Sequence, residues 1–131
     1  MSHWTRTLTL IASLALFVAI AAPAAAQDMP EGVTKQMVDD GGKLFRGDGL
    51  CHACHGPQGK GIPNLGANLA DDKWLHSDGS LDGILKTITN GVTGDKSSVG
   101  VSMPAKGGSS LNEQQLRAVA AYVWSLSHSG K

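Results

Sequence analysis

Cys51-His52-Ala53-Cys54-His55 holds the only two cysteines of the chain, three positions apart, with a histidine directly after the second. C-x-x-C-H is the pattern by which a c-type haem is attached, and the spacing has a mechanical reason. On one turn of helix, residues i, i+3 and i+4 share a face, so Cys51, Cys54 and His55 reach one flat object together. Two thiols there would form thioether bonds to the haem vinyl groups, and His55 would approach the iron from the same side as proximal ligand. Other uses of the pair lack their context. A thioredoxin-like pair belongs with a βαβ pattern in a cytosolic chain, and only glycine-rich sequence precedes Cys51. A structural zinc site needs four ligands, usually from two clusters, and there is one cluster here. A disulfide between Cys51 and Cys54 would close too short a loop to stabilise a fold much.

The chain has 131 residues, enough for one domain. Its start is read as a leader rather than fold. Arg6 precedes an apolar run from Leu8 to Ala22, and Pro23 leads into Ala24-Ala25-Ala26 before Gln27. This is the layout of a secretory signal peptide cleaved after Ala26; the apolar run is shorter than the ~20 residues of a spanning helix. Residues 27–131 then form the mature chain, with no transmembrane segment and a charge within one unit of neutral. No basic stripe for nucleic acid is present. Export places the domain in the periplasm, an oxidising compartment where free thiols normally end as disulfides; thioether attachment would consume both.

Residues 27–32 read as a flexible lead-in, 33–127 as the folded domain and 128–131 as a polar tail. Val33, Met37, Gly41, Leu44 and Phe45 recur at helical spacing. Gly41-Gly42 inside that helix costs about 1 kcal/mol per glycine against alanine, which points to a close backbone approach or to a break in the helix. After the haem motif, Gly56 to Gly61 is turn-rich, and Pro63 follows where no helix can run. A ligating histidine donates its second ring N–H to a carboxylate, carbonyl or water; the carbonyl of Pro63 is a candidate acceptor for His55, the alternative being an ordinary turn proline. Trp74 is either a core aromatic or an indole donor to a haem propionate. Ser80 caps a helix carrying Leu81, Ile84, Leu85 and Ile88, which Gly91 ends. Ser110 and Glu113 read as the capping box of a last helix whose apolar face is Leu116, Val119, Ala120, Val123 and Leu126. Short helices joined by long loops make the expected fold all-α.

The sixth ligand decides what the iron does: Met opposite His gives an electron carrier, whereas an open face gives ligand binding or peroxidase-type chemistry. Met29 lies in the lead-in and Met37 on an apolar helix face suited to core packing. Met103 stands in an irregular loop before Pro104, far enough along the chain to close over the opposite haem face. His76 is the rival ligand, and His52, inside the motif, is read as exposed.

Cys51-His52-Ala53-Cys54-His55-Gly56, Ile62-Pro63-Asn64-Leu65 and Met103-Pro104-Ala105 together resemble a class I c-type cytochrome. Gly41 with Phe45, and Tyr122 in the last helix, resemble that family's crossed terminal helices, where a glycine lets an aromatic ring approach. Trp74-Leu75-His76-Ser77-Asp78-Gly79 with Ile88-Thr89-Asn90-Gly91 is similar to the small bacterial subgroup found alone or as haem domains of oxidase and dehydrogenase complexes. The resemblance implies a cytochrome c fold of three to four short helices around one covalent haem c. It implies Cys51 and Cys54 as attachment residues, His55 and Met103 as axial ligands, and Pro63 as the partner of His55. The separation of Phe45 from Cys51 exceeds that of many relatives, so Gly47–Gly49 is expected to bulge.

The function expected is a periplasmic electron carrier that transforms no substrate and so is no enzyme in isolation. Its donor and acceptor would be redox proteins: a dehydrogenase or quinol-oxidising complex on one side, a terminal oxidase or another carrier on the other. Two alternatives stand beside it: a haem-bearing subunit of a larger oxidoreductase complex, and a ligand-binding haem sensor or enzyme whose Met103 is displaceable. Any electrostatic steering would come from the placement of lysines such as Lys60, Lys96 and Lys106.

Overall fold

The computed structural model describes residues 29–129; the expected leader and its cleavage site lie outside the described residues. Four α-helices appear among them: α1 (Lys35–Arg46), α2 (His52–His55), α3 (Leu81–Asn90) and α4 (Glu113–His128), with a 3-10 turn at Ala105–Gly108 before α4. The described residues hold no strand, only two isolated antiparallel bridges, Ile62 with Gly66 and Val92 with Met103.

Helix α1 starts at Thr34, whose hydroxyl accepts the N–H of Met37, and it runs unbroken through Gly41-Gly42. The glycines are therefore a contact rather than a break. A Cβ on Gly41 would collide with the carbonyl of Ala118 in α4, and one on Gly42 would stand 3.1 Å from the Tyr122 ring. Two helices can cross this closely only where one presents bare backbone. Beside the crossing, Phe45 meets Tyr122 with ring centroids 5.2 Å apart at 58°, a tilted aromatic contact. Arg46 closes the same corner by donating to the Tyr122 hydroxyl at 3.0 Å.

Helix α3 begins with a relay of caps. The Asp78 carboxylate accepts both the N–H (3.0 Å) and the hydroxyl (2.6 Å) of Ser80, while the Ser80 hydroxyl oxygen accepts the N–H of Gly83. These bonds hold the Asp78 carboxyl below its ordinary value. Helix α4 is capped by Asn112 and Gln115, each side chain accepting the other's backbone N–H at 3.0 Å. The expected Ser110–Glu113 box is thereby corrected: Leu111 is buried beside Leu116 in the core, a hydrophobic staple that sets the helix entry two residues later. At its far end α4 extends to His128, whose ring stacks on Trp124 at 3.9 Å.

The core is the meeting of α1, α3 and α4: Phe45, Leu81, Ile84, Ile88, Leu116, Val119 and Val123 are buried there. Met29 and Met37 pack against this core from its edge. The remaining chain, more than half of the described residues, is loop.

A cleft between the C-x-x-C-H turn and the Met103 loop

The bulge before the motif is real. Leu44 accepts the N–H of Gly49 (2.8 Å) and Gly47 that of Leu50 (2.9 Å), so the loop folds back on the end of α1. Leu50 is left with φ +57, a left-handed conformation uncommon outside glycine. Cys51 follows, and α2 is the single turn whose geometry the spacing demanded. Gly66 packs against its far side so closely that a Cβ there would run into the Cys54 carbonyl.

Cys51, Cys54 and His55 line one cleft, and Met103 lines it too. The cleft encloses about 1200 Å³ including its open mouth. Its walls are mostly apolar: Phe45, Ile84, Ile88, Val92, Val119 and Val123 come from the helices, and Leu65, Leu69, Leu75, Val99 and Val101 from the loops. Trp74 and His76 also line it. Lys60, Lys96 and Lys106 do not line it; its charged residues are Asp71 and Lys73.

The Nδ1–H of His55 donates to the carbonyl of Ala67 at 2.8 Å. This corrects the expectation for Pro63, which sits exposed in the turn closed by Ile62 and Gly66. The turn swings the proline outward, and the chain returns to the histidine four residues later. The consequence for the ring is the one expected, since a proton fixed on Nδ1 leaves the Nε2 lone pair free for a metal. His52 turns the other way: half-buried, its Nδ1 lies 3.3 Å from the Phe45 carbonyl.

Cys51 donates weakly to the Gly49 carbonyl at 3.3 Å. Burial pushes its thiol up to about 11, with a smaller rise from neighbouring Cys54. A reactive thiolate needs the opposite shift, so the surroundings of Cys51 suit an uncharged sulfur. Trp74 packs on Gly79, where a Cβ would stand 2.5 Å from the indole nitrogen. The hydroxyl of Thr87 in α3 donates to the His76 carbonyl at 2.8 Å, which fastens the Trp74–Gly79 segment to the same helix that bounds the cleft.

These residues fit a haem. Two thiols and an imidazole with one occupied ring nitrogen stand on one side of a large apolar slot, and a thioether sulfur lies on the same slot from a separate loop. Sequence reasoning had not singled out Ala67, Gly66 or Val92. The first two act through backbone atoms, which leave no residue-type signal; Val92 reads as an ordinary apolar loop residue.

A helical fold crossed at a glycine, with C-x-x-C-H and a methionine loop on one cleft, defines a class I c-type cytochrome. More specifically, the chain belongs to the family described as cytochrome c oxidase, cbb3-type, subunit III, which matches residues 36–123. It is 44% identical over 79 residues to the Cbb3-type cytochrome c oxidase subunit CcoP of Rubrivivax gelatinosus, covering 60% of this chain and 23% of that protein. It is 41% identical over 80 residues to subunit FixPc of Rhizobium leguminosarum bv. viciae, covering 60% of this chain and 27% of that protein. The chain thus spans about a quarter of the length of these relatives. Among solved structures, cytochrome CL from the marine methylotrophic bacterium Methylophaga aminisulfidivorans MPT shares the fold, with a TM-score of 0.53 at 24% identity over 70% of this chain and 53% of that one.

Proposed function

We infer that this chain is a periplasmic one-electron carrier built on a single haem c, attached through Cys51 and Cys54 and ligated by His55 and Met103. The observation that carries the reading is the convergence of those four side chains on one apolar cleft. With only two cysteines in the sequence, the chain has one attachment motif and so one haem. The haem supplies a reversible one-electron couple, whose potential a methionine opposite histidine raises. The protein contributes position and surroundings. Cys51 and Cys54 would hold the cofactor, the Ala67 carbonyl fixes the His55 tautomer, and the apolar residues of α3 and α4 that line the cleft would keep water from the metal. One electron enters from a reduced protein donor and leaves to an oxidised protein acceptor, with no bond in this chain made or broken. The donor is a dehydrogenase or quinol-oxidising complex, and the acceptor a terminal oxidase or another carrier.

Voltammetry of the exported protein tests this: a reversible one-electron couple, with a reduced form that binds no carbon monoxide, is expected. A high-spin protein that binds carbon monoxide readily would replace the carrier with a ligand-binding sensor or enzyme. A second reading has its own support, because the curated relatives are subunits of an oxidase. In that reading the domain delivers electrons inside a larger complex, and the native protein would migrate on size exclusion only as part of that complex.

A further inference from the structure

Met103 belongs to no helix, so its backbone must be fixed by something else. The N–H of Val92 donates to the Met103 carbonyl at 2.9 Å, and the N–H of Met103 donates to the Val92 carbonyl at 2.8 Å. Among the described residues this reciprocal pair is the one β-bridge between the Met103 loop and the end of α3. It is made possible by Gly91, which caps α3 at φ +72 through its N–H to the Thr87 carbonyl. A Cβ on Gly91 would stand against the Met103 carbonyl, 2.7 Å from the Ala105 nitrogen and 2.9 Å from the Pro104 carbonyl carbon. The glycine therefore has two separate requirements: a left-handed backbone, and empty space into which the Met103-Pro104-Ala105 backbone fits.

We propose that Gly91 and Val92 form a clamp that holds Met103 in ligating position, with Gly91 as the positioning residue that sets how often the methionine leaves the iron. The clamp rests on the reading of Met103 as distal ligand. Because the bonded pair is anchored on α3, whose Thr87 also holds the His76 carbonyl, one helix fixes both loops that cover this side of the cleft. The segment between Val92 and Met103 can then vary in conformation without moving the methionine. An added Cβ at position 91 pushes the 103–105 backbone away and breaks the pair, raising the fraction of protein with the sixth position open. A small ligand such as imidazole gains apparent affinity in proportion to that fraction.

The test uses the full holoprotein with imidazole as probe. Gly91→Ala and Gly91→Asn are expected to keep the covalent haem, weaken the methionine-to-ferric charge-transfer band, and raise imidazole affinity about tenfold or more. Asparagine tolerates the left-handed backbone, so recovery of wild-type affinity in Gly91→Asn would show that only the dihedral matters and would overturn the clamp. Gly32→Ala is the matched control. Its φ is +77 with nothing within 4 Å of the added carbon, so it lowers the melting temperature and leaves imidazole affinity unchanged. Met103→Ala separates the two layers of the argument. If it leaves the band intact, the ligand assignment fails; if it abolishes the band while both Gly91 variants bind imidazole as wild type does, the clamp alone fails. Should the Gly91 variants not mature, hydrogen exchange on wild-type protein decides. Imidazole is expected to expose the Val92 and Met103 amides together, and unchanged protection of both would overturn the proposal.

Discussion

At the residue scale, the two sides of the cleft are held with different rigidity. His55 belongs to the motif turn and is fixed again through Nδ1 to the Ala67 carbonyl, so it has two independent restraints. Met103 is half-buried at the edge of the core, and its backbone is held by the paired bonds to Val92 rather than by a helix. The methionine is the side that should yield. Met103→Ala is expected to retain the covalent haem, lower the reduction potential, bind carbon monoxide where wild type does not, and bind imidazole more tightly than wild type; a visible spectrum and a ligand titration check it. An unchanged spectrum would move the assignment to His76, which lines the same cleft. The residue scale also shows where reading from sequence stops. That Cys51, Cys54, His55 and Met103 belong to one cleft was legible, because side-chain chemistry and spacing point to it. The partner of His55 was placed on Pro63 instead of Ala67 because any residue offers a carbonyl, and only the path of the turn from Ile62 to Gly66 decides which one returns to the ring.

At the scale of elements, the helices were legible and their exact starts were not. Ser80, Gly91 and the apolar face of α3 were read where they are, since caps and period agree. For α4, Ser110–Glu113 and Asn112–Gln115 both satisfy the capping pattern, and burial of Leu111 selects the second. The glycine pair of α1 shows which of two effects wins. By helix propensity alone, Gly41→Ala should stabilise by about 1 kcal/mol. Its new Cβ would instead occupy the position of the Ala118 carbonyl, and overpacking against immovable backbone costs about 3 kcal/mol. The expected result is a net loss near 2 kcal/mol with separation of α1 from α4, measured by chemical denaturation of the holoprotein. A stabilised Gly41→Ala would mean that the helices do not cross as described.

At the scale of the molecule, part of the core is shared between the helices and the cleft. Phe45, Ile84, Ile88, Val119 and Val123 are buried core residues, and each also faces the slot. The haem would thus complete the core, which fits a domain whose loops outnumber its helices. Among the described residues, the exposed large apolar side chains Leu50, Leu65, Leu75 and Val101 all line that same cleft. No helix among the described residues is long and apolar enough to cross a membrane. The central claim is one covalent haem with a methionine on its sixth position. Its most direct measurement is the mass of the denatured exported protein together with the near-infrared spectrum of its oxidised form. The account predicts a mass raised by one haem and a methionine-to-ferric charge-transfer band; an unmodified mass with titratable thiols at Cys51 and Cys54, or a haem-bearing protein with a high-spin spectrum and no such band, would contradict it.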